Sequence, residues 1–135
     1  MMAPDQPASA TDLLAYAGAV LDGAISMPPR RATRAAAMLT RQALEDIALA
    51  MCRSVGADLD RASMRSRLIC IRILIGDEDA DVAETGWIGL CRACHHHAYE
   101  LTPTEAEVRH LVDVVGSLGD RWSRHGGSSG AELSD

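Results

Sequence analysis

The sequence predicts an all-α fold, an antiparallel bundle of four to five helices, and three observations carry that prediction. Apolar residues make up 47% of the 135 positions, enough for a substantial core, yet aromatics are only 3% and Phe is absent. A core built from Ala, Leu, Ile, Val and Met suits closely packed helices, whereas sheets draw on aromatic and β-branched side chains. Apolar residues also recur at alternating spacings of three and four along several segments, the period of a helix buried on one side. A chain of this length has room for one domain.

Taken in order, residues 1–10 are rich in Pro, Ala and Ser and are expected to be disordered, leaving a bundle domain over 11–125. Thr11 or Asp12 can cap a first helix reaching about Ala24, with Leu13, Ala17, Val20 and Leu21 on one stripe. Pro28-Pro29 closes the connection and can open a second helix from Arg30 to Val55, because proline is tolerated in a first helical turn. That helix carries two apolar sides, one through Leu39, Ala43, Ile47, Ala50 and Met51 and one through Met38, Leu44 and Leu49, so it is expected to be central. Gly56 is its natural stop.

A third segment, Arg61 to Ile75, contains an apolar run with the composition of a buried strand. It does not alternate, however, and Met64, Leu68, Ile71 and Ile75 fit a helical stripe capped by Asp58 or Asp60, so helix is the reading. Gly76 to Glu84 reads as an acidic connector, a solvated loop running into an acidic helix start that suits the helix dipole; its carboxylates lack EF-hand spacing. A fourth helix is expected from Asp81 to Tyr99, with Ala83, Trp87, Leu90, Cys94 and Ala98 inward. Thr102-Pro103-Thr104-Glu105 reads as a capping box for the last helix, whose stripe is Val108, Leu111, Val115, Leu118 and Trp122. From Gly126 to Asp135 the Gly/Ser-rich tail is expected to be disordered.

Charge narrows the functional classes. All 13 basic residues are arginine and the net charge is −6, which argues against a protein that coats DNA or RNA but leaves room for a local cationic pocket. Arg30, Arg31 and Arg34 crowd the start of the second helix and read as a solvated face. Met1 to Ala10 has neither a basic stretch nor an apolar core of a signal peptide, and no apolar run reaches the roughly 20 residues of a membrane span. The expectation is a cytoplasmic protein with no membrane partner, whose four cysteines are free thiols.

The chemistry concentrates in Cys91-Arg92-Ala93-Cys94-His95-His96-His97-Ala98-Tyr99. Neighbouring histidines on a helix diverge by about 100°, so they cannot all face one core. Cys91 to His95 spells C-x-x-C-H, the attachment motif of c-type haem, although covalent haem normally follows export. Cys91, Cys94 and His95 also stand at i, i+3 and i+4, half of a zinc site that Cys52, Cys70 or His110 could complete. Read structurally, the two cysteines are small core residues and the histidines finish a helix where cations suit the dipole.

Arg92 with His97 and Tyr99 spells R-x4-H-x-Y late in a small helical bundle. In this the chain resembles the HEPN superfamily, in particular the minimal nucleotidyltransferase-associated toxins and stand-alone bacterial HEPN proteins. The resemblance implies metal-independent RNA cleavage without a cofactor. His97 would be the general base on a ribose 2′-OH and Arg92 would hold the scissile phosphate, roles that imidazole and guanidinium suit. Tyr99 matches a position that accepts AMP from a cognate nucleotidyltransferase antitoxin. If the fourth helix continued through Tyr99, Arg92 and His97 would lie about 140° apart, whereas Arg92, His96 and Tyr99 would nearly share a face. His96 is therefore a rival base. The family meets that separation by forming a homodimer with one composite cleft. A non-catalytic module binding nucleotide, RNA or protein is the alternative.

Overall fold

The computed structural model describes residues 9–95 and 102–129, with side chains described as far as Ser123. Its regular structure is entirely helical: α1 (Ala10–Leu21), α2 (Pro29–Ser54), α3 (Met64–Leu74), α4 (Asp77–Cys94) and α5 (Glu105–Ser129). No helix is long and apolar enough to cross a membrane among the described residues. The expected disorder of residues 1–8 and 130–135 falls outside the described residues, but α5 itself runs past Gly126 into the Gly/Ser-rich tail.

Side-chain caps start α1, α3 and α5, whereas α2 and α4 begin at a proline and after a glycine. Ser9 caps α1, its hydroxyl accepting from the Asp12 N–H while the Asp12 carboxylate accepts from the Ser9 N–H, so the cap precedes both Thr11 and Asp12. Pro29 opens α2 in its first turn. Ser63, and neither Asp58 nor Asp60, caps α3. Gly76 stands before α4 at φ +151, open to glycine and strained for other residues, and this turns the chain within two residues of Leu74. As a result α4 starts at Asp77, and Asp77, Glu78 and Asp79 form its first turn, where carboxylates favour the helix dipole. The acidic stretch is thus helix and not a loop. Thr104 caps α5 through a reciprocal pair with Glu107, so the box is Thr104-Glu105-Ala106-Glu107 and Pro103 lies outside the helix.

α2 is the central element and packs against α1, α3, α4 and α5. Ala36, Ala37, Ala43, Leu44, Ala48 and Met51 on it are fully buried, whereas Met38 is 57% exposed, so its second apolar side is narrower than the pattern suggests. The buried hydroxyl of Thr40 donates back to the Ala36 carbonyl at 2.7 Å. α4 runs antiparallel to both α2 and α5: Gly86 faces Leu44 and Val115, Arg41 stacks on Trp87, and Arg121 pairs with Asp79. The C-terminal end of α4 therefore lies at the same end of the bundle as the start of α2.

α3 buries Met64, Arg67 and Ile71, with Leu68 half-buried, and leaves Ile69 and Ile73 outward. Arg67 is the unexpected member. Its guanidinium donates to three carbonyls, those of Leu59, Asp60 and Glu45, and so joins α3, the connecting loop and α2.

Candidate functional site

The motif straddles the end of α4. The helix closes at Cys94, and His95 has left helical geometry at φ −78, ψ 126. This corrects the expectation of a helix running on through His95, which does not continue the helical face of Cys91 and Cys94. His96, His97 and Tyr99 lie outside the described residues.

Arg92 itself sits on the last turn of α4, exposed, and makes no ion pair among the described residues. It lines a groove of about 560 Å³ between α4 and the beginning of α5. Gly89 and Ala93 form the α4 side, while Pro103, Glu107, His110 and Leu111 come from the other side. Leu111 packs directly onto Gly89, where a Cβ would come within 2.8 Å of Leu111 Cδ2 and make that side chain shift. The wall facing Arg92 is therefore polar as well as apolar. His110 was legible only as a spare metal ligand; its place opposite Arg92 depends on the α4–α5 contact, and no local pattern announces it.

Cys91 and Cys94 lie on the other side of α4, half-buried in the seam against α2. Burial pushes both thiols above the usual range, a trend that Arg41 opposes at each and that Arg34 opposes further at Cys94. Among the described residues no three His, Cys, Asp or Glu side chains converge in a way that could hold a metal ion. Cys52 is more extreme. Burial, and then the neighbouring Cys70, push its thiol up to about 12.

No family model matches the chain, and no curated protein or solved structure matches it.

The cysteines yield a direct test. A buried thiol whose folded pKa exceeds its unfolded value stabilises the fold fully below the unfolded value, and that contribution fades as pH rises towards the folded one. For Cys52 the window runs from the ordinary 9.0 to about 12. Urea midpoints should fall across that window in the wild type and fall less in Cys52→Ala. Iodoacetamide at mildly alkaline pH should label Cys52, Cys91 and Cys94 far more slowly in the folded protein than in urea. Equal labelling rates would mean that the seam is open.

Proposed function

We propose that this chain is a HEPN-type bundle acting as a metal-independent endoribonuclease in the cytoplasm, with Arg92 on the scissile phosphate and His97 as general base. The supporting observation is Arg92: an exposed guanidinium without an ion pair among the described residues, in a groove whose opposite wall carries His110 and Glu107. A guanidinium that is not tied up in an ion pair is free to bind phosphate oxygens by a two-pronged hydrogen bond. A polar wall supplied by a second helix also favours chemistry over simple docking.

In this reaction the imidazole of His97 takes the proton of a ribose 2′-OH, and the 2′-oxygen attacks phosphorus. The bond to the 5′-oxygen breaks, and that oxygen takes up a proton as it leaves. Arg92 holds the charge that builds on the non-bridging oxygens. His110, which lines the same groove as Arg92, would supply the second proton. Two copies form the competent cleft, and Tyr99 is where a partner nucleotidyltransferase would attach AMP to silence it.

Purified protein should cut single-stranded RNA in the presence of a chelator and leave 2′,3′-cyclic phosphate ends. The active species should elute as a dimer, and a 2′-deoxy residue at the cut site should block the reaction. RNA binding without any cleavage would replace this reading with a non-catalytic binding module.

A further inference from the structure

Arg31, Arg34, Met38 and Arg41 advance along α2 by three, four and three, so they form one stripe spanning about 15 Å. The stripe borders the α2–α4 seam. Arg41 and Arg34 both act on Cys94, and the Arg41 guanidinium lies over the Trp87 ring at 4.8 Å. Arg31 and Arg34 have no carboxylate partner among the described residues; Arg41 has only Glu45, at 3.7 Å. By contrast Arg53, Arg72, Arg109 and Arg121 are each held by two or more acidic side chains. The first turn of α2 carries no acidic residue to offset its arginines, and like charges at this spacing repel. An acidic protein that keeps such a cluster unneutralised holds it at a cost to the isolated helix.

We propose that the Arg31–Arg34–Met38–Arg41 stripe is a binding track for single-stranded RNA, with Arg31 and Arg34 on successive phosphates and an unpaired base stacked over Arg41 and Met38. The Arg41 guanidinium lies over the Trp87 ring at 4.8 Å, and Met38, 57% exposed, adds apolar surface next to it on the stripe, so a base that stacks here would rest on Arg41 and Met38 together. Stacking on a guanidinium plane requires a base released from its pair, which selects single strands over duplex. An acidic peptide would engage the charges but leave that stacking surface unused. The track lies on the opposite side of α4 from the Arg92 groove, at the same end of the bundle. It rests on the ribonuclease reading only for the identity of the strand as RNA.

The test is fluorescence anisotropy with a labelled, uncleavable 2′-O-methyl oligoribonucleotide across a salt series. Arg31→Ala with Arg34→Ala should weaken binding about 10-fold or more at low salt and flatten the salt slope by about 1.4, the share of two single-strand phosphate contacts. Arg53→Ala, the loss of one positive charge at the far end of α2, should leave affinity within about twofold. Arg41→Lys keeps the charge but loses the flat stack, so it should weaken single-strand binding while leaving any weak duplex binding unchanged. Circular dichroism checks that each variant is folded, and Arg31 and Arg34 are exposed enough to be replaced without disturbing the core. Wild-type affinity in the Arg31/Arg34 variant, an equal loss in Arg53→Ala, or displacement by polyglutamate as effective as by RNA would each overturn the track. Binding without cleavage of unmodified RNA would overturn the nuclease and leave the track standing. Cleavage and binding that both survive loss of Arg31 and Arg34 would do the reverse.

Discussion

Arg67→Ala should be among the most destabilising single substitutions in the chain, costing about 3 kcal/mol or more. The side chain is 91% removed from solvent and its guanidinium satisfies the carbonyls of Leu59, Asp60 and Glu45 at 3.0 to 3.1 Å. Truncation strips the side-chain donor from all three carbonyls, although Leu59 keeps the Ala62 N–H and Glu45 its helical partner, and it opens a void under α3, so both losses fall at one point. Set against a typical stability of about 5–15 kcal/mol, this is a large fraction. Arg67→Lys should recover only part of the loss, because an ammonium on a flexible stem cannot reach three divergent carbonyls as the planar fork does. Arg67→Met tests the same point with the apolar stem retained. Urea denaturation monitored by circular dichroism reads all three, and a loss under about 1 kcal/mol in Arg67→Ala would show that water replaces the guanidinium at little cost.

The second large effect concerns catalysis. His97→Ala should lower the cleavage rate about 100-fold or more, the usual size for loss of a general base. Arg92→Ala should cost about 100- to 1,000-fold through weaker stabilisation of the phosphorane charge, and Arg92→Lys should restore little because a point charge lacks the two-pronged fit. Neither change should shift the urea midpoint measurably where Arg92 is concerned, since that side chain is exposed and unpaired among the described residues. Cys91→Ser should retain near-normal rates, which separates this mechanism from a zinc site. If His96→Ala abolishes cleavage while His97→Ala does not, the register of the motif is wrong.

The helical class was legible because its signals are local and repeated. The stripe of α5 and the alanine-rich α2 each announce themselves over many turns, and the apolar run of α3 was separable from a strand by its spacing. Helix starts were harder to read. Ser9 was hidden in a Pro/Ala/Ser-rich stretch, and the acidic residues signalled a helix start by their fit to the dipole but not that the helix begins as early as Asp77, directly after Gly76. Arg67 was invisible for a different reason. A charged residue at an inward position breaks the pattern, and only the carbonyls brought in by α2 and the loop explain it. At the candidate site Arg92 stood out in the sequence, whereas its groove depends on the close approach of α4 and α5 at Gly89 and could not be read from either helix alone.

Arginine is paired differently at the two ends of the bundle, and the end that holds Arg31, Arg34 and Arg92 also holds Asp22, Glu105 and Glu107. Around Asp77, Glu78, Asp79, Asp81 and Glu84 the carboxylates gather with Arg72 and Arg121, while Arg31, Arg34 and Arg92 stand at the opposite end without such partners among the described residues. A two-fold dimer joined beside the end of α4 would set two groups of these arginines next to each other, and their mutual repulsion opposes assembly at low ionic strength. A polyanion lying across both groups removes that repulsion, so strand binding and subunit association become thermodynamically linked, each strengthening the other by the same factor. The subunit dissociation constant should therefore fall when RNA is present, and added salt should tighten the empty dimer while loosening the loaded one.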